Sequence, residues 1–370
     1  MHSQWLMAGL SCALAAGCGA LTPPKQDGGT GGGFATGGGL ATGGGGGGTA
    51  TGGGAATGGG GTATGGGGPT GGGGGGVEAP WLEVALQVPA GTQGTVQRLS
   101  ARPGEIYALV ANQYVLRSAG GRFNEVLVFN DPILGDFQVS GSGLSAVTVF
   151  QRLLACTSNC EQGAGFLDFG LGATPIAVCG SADSLGVMTF ASDAGAALFE
   201  QNGDQWDFVS LLNLRSPLDC ARTTRGDFFV AGQGGVGNAN TSQASVEVPD
   251  TSALGRVSTN EPWTKVGTDG TWVIAASARG AVARRPEDAG WRVESALGGE
   301  IAAIAVESAT EIWVVGTGLG LARFDGTRWS AAGVGPSQLT TFDALAVESA
   351  HVYVGGRDAA GVARVFRRLR

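Results

Sequence analysis

Short apolar runs recur along the C-terminal part of the chain at a nearly constant spacing. Seven runs rich in Val, Ile, Phe, Trp and Tyr begin at Ile106, Val147, Val187, Phe228, Trp272, Ile312 and Val352, at spacings of 41, 40, 41, 44, 40 and 40 residues. Gly, Ser, Asp and Asn bound these runs, which is typical of buried β-strands. A constant period of this length indicates a fold assembled from one repeated unit.

Each repeat contains three further short strands. One of them opens at an aligned position after each of the first six runs: Phe123, Phe166, Trp206, Ser245, Trp291 and Trp329. Compact turns such as "DGTR" lie between the two series, and another apolar strand such as "IAAIAV" (301–306) precedes each main run. Helical patterns are missing from the repeats. We therefore predict an all-β fold, a seven-bladed β-propeller of four-stranded antiparallel blades, over residues 77–370.

The two ends of the repeat array complement each other. The seventh unit stops after its third strand at Arg370, whereas "WLEVALQV" (81–88) resembles the strand "WRVESAL" (291–297). We predict that this N-terminal strand completes the last blade and closes the ring, because closure removes exposed strand edges. The aligned tryptophans Trp206, Trp291 and Trp329 are predicted to pack between blades rather than to stack on sugars.

The N-terminus has the features of an export signal. Residues 5–16 are apolar or small, too short a run to span a bilayer and suited to a signal peptide. The run ends in "LAAGC" (14–18), which resembles a bacterial lipobox. That resemblance implies a signal peptide over 1–17, a lipidated Cys18 that begins an anchored segment 18–26, and, with Gly19, sorting to the outer membrane. The alternative is ordinary secretion with cleavage near Cys18.

Residues 27–76 are predicted to form a disordered tether. Gly accounts for 31 of these 50 residues, most others are Thr and Ala, and Asp27 carries the only charge. Such a segment cannot bury enough apolar surface to offset the entropy of ordering. Its expected reach is roughly 35–42 Å, so the propeller would stand clear of the membrane, facing the periplasm or the cell surface.

One repeat resembles a known family of propellers. The unit "EIWVVGTGLGLARFDGTRW" (311–329) is similar to blades of the periplasmic sensor propellers of two-component regulators: a strand ending in Gly-Thr, a Gly-Leu strand, then Asp-Gly before an aromatic residue. The resemblance implies a propeller in an envelope location and does not extend to signalling.

Catalytic and metal-binding patterns are weak. The formal charge of −8 does not favour nucleic acid, and the two histidines, His2 and His351, do not support a triad or a histidine metal site. We therefore expect no cofactor, no metal and no catalytic set, with Asp turns such as "GTDGT" (267–271) serving the fold. Carboxylates that could still pair in space are Asp131, Asp136, Asp168 and Asp219.

Four cysteines follow Cys18, an even number that suggests disulfides in an exported chain. The close pair Cys156 and Cys160 is predicted to form a local disulfide. Cys179 and Cys220 occupy equivalent positions in adjacent repeats. Rotational symmetry would point both side chains the same way around the ring, so separate buried thiols are at least as well supported as a bridge.

These features predict a non-catalytic binding or scaffold module of the cell envelope. The alternatives are an envelope enzyme acting on glycans or peptides with carboxylates at the channel mouth, and an accessory of outer-membrane assembly. The expected partner is an envelope protein or polysaccharide, with membrane contact through the lipid only and a monomeric chain. Longer connections at 128–136, 232–237 and 249–262 should share one face, with Asn130, Asp131 and Arg256 as possible partner contacts.

Overall fold

The computed structural model describes residues 79–370, apart from 119–120, 129–133, 141–142, 150–151, 156–166, 170–173, 182–183, 192–194, 204, 287–288 and 334. Within these residues the regular structure is β-sheet, with two 3₁₀ helices at Ser252–Leu254 and Ser258–Asn260. The all-β prediction is confirmed.

The described strands follow the predicted repeat. In chain order they are β1 (Leu82–Leu86), β2 (Val96–Arg102), β3 (Glu105–Val110), β4 (Tyr114–Ser118), β5 (Arg122–Val128), β6 (Leu134–Ser140), β7 (Gly143–Val149), β8 (Arg152–Ala155), β9 (Leu167–Phe169), β10 (Thr174–Ser181), β11 (Ser184–Phe190), β12 (Ala196–Asn202), β13 (Gln205–Leu212), β14 (Arg215–Arg222), β15 (Phe228–Gln233), β16 (Gly235–Ala239), β17 (Ala244–Glu247), β18 (Trp263–Thr268), β19 (Trp272–Ser277), β20 (Ala281–Pro286), β21 (Arg292–Ala296), β22 (Ala303–Ser308), β23 (Glu311–Gly316), β24 (Gly320–Phe324), β25 (Trp329–Ala331), β26 (Leu339–Val347), β27 (His351–Asp358) and β28 (Ala363–Leu369). The seven apolar runs correspond to β3, β7, β11, β15, β19, β23 and β27, each the second strand of its unit.

Hydrogen bonding groups these strands into antiparallel sets of four. Five sets are separate sheets: β6–β9, β10–β13, β14–β17, β18–β21 and β22–β25. The remaining strands form one eight-stranded sheet in the order β2-β3-β4-β5-β1-β28-β27-β26. This sheet consists of two sets of four, β2–β5 and β26–β28 with β1, joined edge to edge. The grouping is compatible with the predicted seven blades.

The N-terminal strand closes the ring as predicted. β1 pairs antiparallel with β28, in a register that places Val84 opposite Val365. On its other side it pairs in parallel with β5, where Leu86 faces Phe123. The Val84 side chain is 2% exposed and packs in the core shared by the first and last sets. β1 therefore holds two neighbouring blades together as well as completing one of them.

Apolar contacts between neighbouring blades form the core. The Trp206 side chain packs against a cluster that includes Leu153 of the preceding blade, and Trp291 meets the Phe229 ring edge-on at 6.4 Å between centroids. Trp329 likewise joins a cluster that includes Ile274 of the preceding blade. These contacts confirm that the aligned tryptophans pack between blades.

Two glycines of the repeat are required by close backbone approach. A Cβ on Gly316, at the end of β23, would lie 1.6 Å from the carbonyl oxygen of Glu300. A Cβ on Gly356, at the aligned position of β27, would lie 1.9 Å from the carbonyl oxygen of Thr341. Only glycine fits where the second strand of a blade passes this close to the backbone at the start of the first strand. The glycine that follows the apolar run is thus a packing requirement.

Asp-containing turns at the blade ends are held by the Asp side chain, as predicted for "GTDGT". The Asp269 Oδ1 atom accepts hydrogen bonds from the backbone N–H groups of Thr271 and Trp272 at 2.9 and 2.8 Å. In the turn "DGTR", the Asp325 Oδ1 atom accepts from the backbone N–H groups of Thr327 and Arg328, both at 2.9 Å. The Thr327 hydroxyl donates to the same oxygen at 2.6 Å. Both turns follow the pattern in which a short side chain satisfies the turn's own backbone.

The Asp325 turn makes a contribution to the fold that depends on pH. The hydrogen bond from the Thr327 hydroxyl, with those from the two backbone N–H groups, lowers the pKa of Asp325 to about 2. Because this pKa lies below the unfolded value of about 3.9, the turn stabilises the fold above that value and loses its contribution as the pH falls through about 2. A carboxyl-detected NMR titration should locate the midpoint for Asp325 near pH 2.

The matched variant for that titration is Thr327→Val, which removes the hydroxyl donor and leaves the backbone donors. Its Asp325 midpoint should move up toward the ordinary aspartate range. An Asp325 midpoint near 4 in the wild-type protein would contradict the assigned hydrogen bonds.

Candidate functional site

A central cavity of about 200 Å³ lies where the first strands of the blades converge. It is lined by residues of β2, β6, β10, β14, β18, β22 and β26, the first strand of each set of four. Its polar side chains are Gln97, Arg98, Asp136, Asp219, Lys265 and Asp343. The cavity therefore gathers charged groups of both signs from distant parts of the chain.

Asp136 and Arg98 form an ion pair in the cavity wall. The Arg98 Nη1 atom lies 2.8 Å from the Asp136 Oδ2 atom, and the Asp136 side chain is almost completely buried. Asp136 also accepts backbone hydrogen bonds from Phe137 at 2.8 Å and from Val178 of the next blade at 3.0 Å. Burial raises the pKa of the Asp136 carboxyl, while the guanidinium and the two N–H donors oppose that rise. This carboxylate therefore links three successive blades through its ion pair and hydrogen bonds.

Two other cavity carboxylates also contact the blade that follows them. The Asp219 Oδ2 atom accepts the backbone N–H of Val266 at 3.1 Å. The Asp343 Oδ2 atom accepts the Thr95 hydroxyl in a short hydrogen bond, and the Thr341 hydroxyl at 2.7 Å. In the part of the chain that the structure describes, the second oxygen of each carboxylate accepts no hydrogen bond. Both side chains are half-buried and can accept a further donor from within the cavity.

Asp136 and Asp219 are two of the carboxylates that, from the sequence, could meet in space. They line one cavity although 83 residues separate them, because the first strands of all blades meet at the ring centre. Asp131 lies outside the described residues, and the side chain of Asp168 in β9 is not among those described. Asp343 and Lys265 were not anticipated, since neither lies in a recognisable motif.

β14 carries a bulge at the cavity. Arg215 pairs with Gln233 and Asp219 with Ala231, so residues 216–218 have no partner on β15. Ser216 adopts a φ of +46°, a backbone conformation that residues other than glycine adopt only at an energetic cost. The bulge leaves the Leu218 side chain 49% exposed at the cavity. Bulges near binding sites redirect side chains in this way.

The connection 249–262 between β17 and β18 is a folded loop. It contains both 3₁₀ helices, and the Thr251 and Glu261 side chains within it are completely buried. The Ser258 hydroxyl accepts the backbone N–H of Thr251 at 2.8 Å. The Val257 side chain, by contrast, is 63% exposed. The loop is therefore anchored at both ends and presents an apolar side chain to solvent.

Arg256 helps to hold this loop. Its Nη1 atom lies 3.1 Å from the Glu261 Oε1 atom, and its Nη2 atom donates to the carbonyl of Arg279 at 2.8 Å. The Ser277 hydroxyl donates to the same Glu261 oxygen in a short hydrogen bond. A contact between Arg256 and a partner stays a prediction, and its neighbour Val257 was not anticipated from the sequence.

The stretch 232–237 is a tight turn rather than a long connection, so that part of the prediction was wrong. β15 ends at Gln233 and β16 begins at Gly235, leaving Gly234 with a φ of +87° between them. Gln233 forms an isolated antiparallel bridge with Pro262. The turn and the loop 249–262 thus lie together on one face, as expected from the strand order.

Several predicted site residues fall outside the described part of the chain. These are Cys18, Asn130, Asp131, Cys156 and Cys160. Lipidation at Cys18, the local disulfide and the two loop contacts therefore remain predictions.

Cys179 and Cys220 are joined by a disulfide, with their Cα atoms 5.3 Å apart. The bond links β10 and β14, the first strands of adjacent blades. The sequence left a bridge and separate thiols both open. The bridge forms because neighbouring first strands approach so closely near the ring centre that equivalent residues come within bonding range. Both cysteines are buried in one apolar cluster.

The described residues contain no group of three or more His, Cys, Asp or Glu side chains placed to hold a metal ion. Among them there is also no helix long and apolar enough to cross a membrane. His351 is the first residue of β27, and its Nδ1 atom lies 3.0 Å from the Glu348 Oε1 atom.

Neither a family model nor a curated protein matches this chain. Its fold is similar to solved β-propellers. A YCF48 protein solved with a D1 peptide bound is 15% identical, with 79% of this chain and 96% of that chain covered and a TM-score of 0.57. YCF48 from Cyanidioschyzon merolae is 17% identical, with 78% and 99% covered and a TM-score of 0.55.

The WD40 β-propeller domain of Doa1 is 11% identical, with 78% of this chain and 97% of that chain covered and a TM-score of 0.58. At these identities the similarity establishes the fold alone. Together with the sheet order and the central cavity, it defines this chain as a β-propeller.

Proposed function

We propose that this protein is a lipid-anchored propeller of the bacterial cell envelope that binds a protein or polysaccharide partner without catalysing a reaction. The observation that carries the proposal is the anchored loop 249–262, which presents exposed Val257 on the face of the ring that also carries the turn at Gly234. Rigidly held loops are where propellers and other scaffolds concentrate binding residues. One similar propeller was solved with a peptide bound, which supports a protein partner.

The partner is expected to dock on Val257. A change of Val257→Asp places a charge where an apolar contact is expected, and should reduce partner recovery roughly tenfold or more. The measurement is affinity capture from envelope extracts with quantitative identification of the recovered proteins and polysaccharides. Replacing the whole loop is a poorer test, because it would also remove the buried Glu261 carboxylate that Ser277 and Arg256 contact.

The matched variant is Leu82→Asp on β1, where the wild-type side chain is 55% exposed and belongs to another blade. Partners that bind specifically should be recovered equally by Leu82→Asp and by the wild-type protein. If Val257→Asp recovers the same partners at the wild-type level while remaining folded, the loop is not the docking site.

The envelope location is tested at Cys18. A Cys18→Ala variant expressed in a bacterial host should move from the membrane fraction to the soluble fraction, because the lipid chains provide the expected membrane affinity. Fractionation followed by immunoblotting measures this change. Cys12→Ala is the control and should remain in the membrane fraction. Equal membrane retention of the Cys18→Ala protein would reject the lipoprotein assignment.

A second candidate function is an envelope enzyme acting on glycans or peptides. It is favoured by the convergence of Asp136, Asp219 and Asp343 on one cavity and by the raised pKa of Asp136, a property of general acids. The geometry favours it less than binding, because Asp136 is already held by Arg98 and two backbone donors. Product release from envelope glycans or peptides that disappears in Asp219→Asn would establish the enzyme instead.

A further inference from the structure

The central cavity combines charged side chains of both signs with a smaller apolar surface. We infer that it binds a small zwitterion of about the size of one amino acid, with the ligand carboxylate at Lys265 and the ligand ammonium at Asp219 and Asp343. This site is separate from Val257 and its loop, so the two proposals can fail independently.

Lys265 supplies the positive side of the site. Its side chain is half-buried and lines the cavity from β18. Within the described residues it has no hydrogen-bond or ion-pair partner, although three carboxylates line the same cavity. Arg98, the other cavity cation, is already paired with Asp136. A half-buried ammonium without a partner gains a charge-assisted hydrogen bond when a ligand carboxylate arrives.

Asp219 and Asp343 supply the negative side. Each uses its Oδ2 atom to accept a donor from the next blade, which fixes the orientation of the carboxylate. The remaining oxygen of each is unused within the described residues. Fixed carboxylates with one free oxygen are pre-organised to accept an ammonium group, because little further ordering is required on binding. The Arg98–Asp136 pair carries no net charge. The other charged groups of the cavity are the Lys265 ammonium and the Asp219 and Asp343 carboxylates, which can accept hydrogen bonds from a ligand.

The uncharged part of the lining sets the character of the ligand side chain. Leu218 is exposed on the β14 bulge, and Ile176 and Ile304 are half-buried in the same wall. Water-exposed apolar side chains in a cavity favour an apolar group in the ligand. The backbone strain at Ser216, two residues before Leu218, destabilises the fold. A role for the bulge in binding would explain why this strain is kept.

The size of the cavity restricts the ligand further. Its volume is about 200 Å³, whereas pockets for drug-sized molecules occupy about 300–1,000 Å³ and a dry cavity of about 150 Å³ holds benzene. An aliphatic amino acid fits this range.

The test is calorimetric titration of the purified full chain with four ligands: L-leucine, L-leucinamide, 4-methylpentanoate and leucylglycine. L-leucinamide lacks the carboxylate, and 4-methylpentanoate lacks the ammonium group. We expect L-leucine to bind and the two singly charged analogues to bind roughly tenfold or more weakly, since each leaves one charged partner unused. Leucylglycine tests the size of the site: it should bind more weakly than L-leucine, and tighter binding would overturn a site the size of one amino acid.

Substitutions in the cavity identify which side chain contacts each charged group of the ligand. Lys265→Met should weaken L-leucine roughly tenfold or more and leave L-leucinamide unchanged, because only L-leucine carries the carboxylate that Lys265 would contact. Asp219→Asn should weaken L-leucine and leave 4-methylpentanoate unchanged. Arg328→Gln, at a side chain that is 83% exposed on a blade turn, is the control and should not change any titration. Absence of heat for both zwitterions at millimolar concentration, or equal binding of L-leucine by Lys265→Met, would overturn the proposal.

Discussion

Deleting residues 81–88 is expected to lower the free energy of unfolding by about 5 kcal/mol or more, and to make the propeller prone to aggregation. The deletion removes β1, whose Val84 side chain is 2% exposed, and Trp81, which packs against the last blade beneath the guanidinium of Arg368 at 4.9 Å. Each buried apolar side chain contributes about 1.5–3 kcal/mol. The deletion also leaves the backbone groups of β28 and β5 without their partners in β1.

A pair of point variants keeps this test informative if the deletion cannot be purified. Val84→Asp places a carboxylate in the core shared by the first and last blades and should lower the melting temperature by many degrees. Leu82→Asp changes the same strand at a side chain that is 55% exposed and should have little effect. Deleting the predicted tether, residues 27–76, should leave the melting temperature unchanged. Equal melting of the deletion and the wild-type protein would show that β1 does not stabilise the ring.

Removing the Cys179–Cys220 disulfide is expected to cost about 4 kcal/mol. The two cysteines are 41 residues apart in sequence, and a loop of this length corresponds to about that loss of chain entropy in the unfolded state. With an unfolding entropy of about 0.6 kcal/mol per kelvin for a body of this size, the melting temperature should fall by ~6–7 °C. The variant to compare is Cys179→Ala with Cys220→Ala, measured by calorimetry in the absence of reductant.

Treatment with a reductant distinguishes the contribution of this disulfide to the melting temperature from that of any other disulfide. Wild-type protein treated with a dithiol should melt close to the double variant, and any further loss reports the predicted Cys156–Cys160 bond. The double variant treated with the same dithiol isolates that second contribution. A double variant that melts within about a degree of the oxidised wild type, where several degrees are expected, would contradict a stabilising role for the bond.

The sequence by itself determined the repeat, the strand content and the closure of the ring. This was possible because a blade is local: its four strands lie within about 40 residues, and the turns between them depend on nearby residues such as Asp269 and Asp325. Closure could also be predicted, because the end of the array lacked one strand and residues 81–88 had the pattern of that strand. The positions of Trp206, Trp291 and Trp329 followed from the same periodicity.

Only the tertiary structure decided which side chains meet at the ring centre. Asp136, Asp219, Lys265 and Asp343 come from four blades, and no motif connects them in the sequence. The bond between Cys179 and Cys220 was undecided for the same reason, because periodicity fixes equivalent positions but not the distance between them. That distance depends on how closely the first strands approach the axis, which is set by the packing of every blade around the ring. The repeat is encoded within each blade, whereas the cavity exists only after all the blades have closed around it.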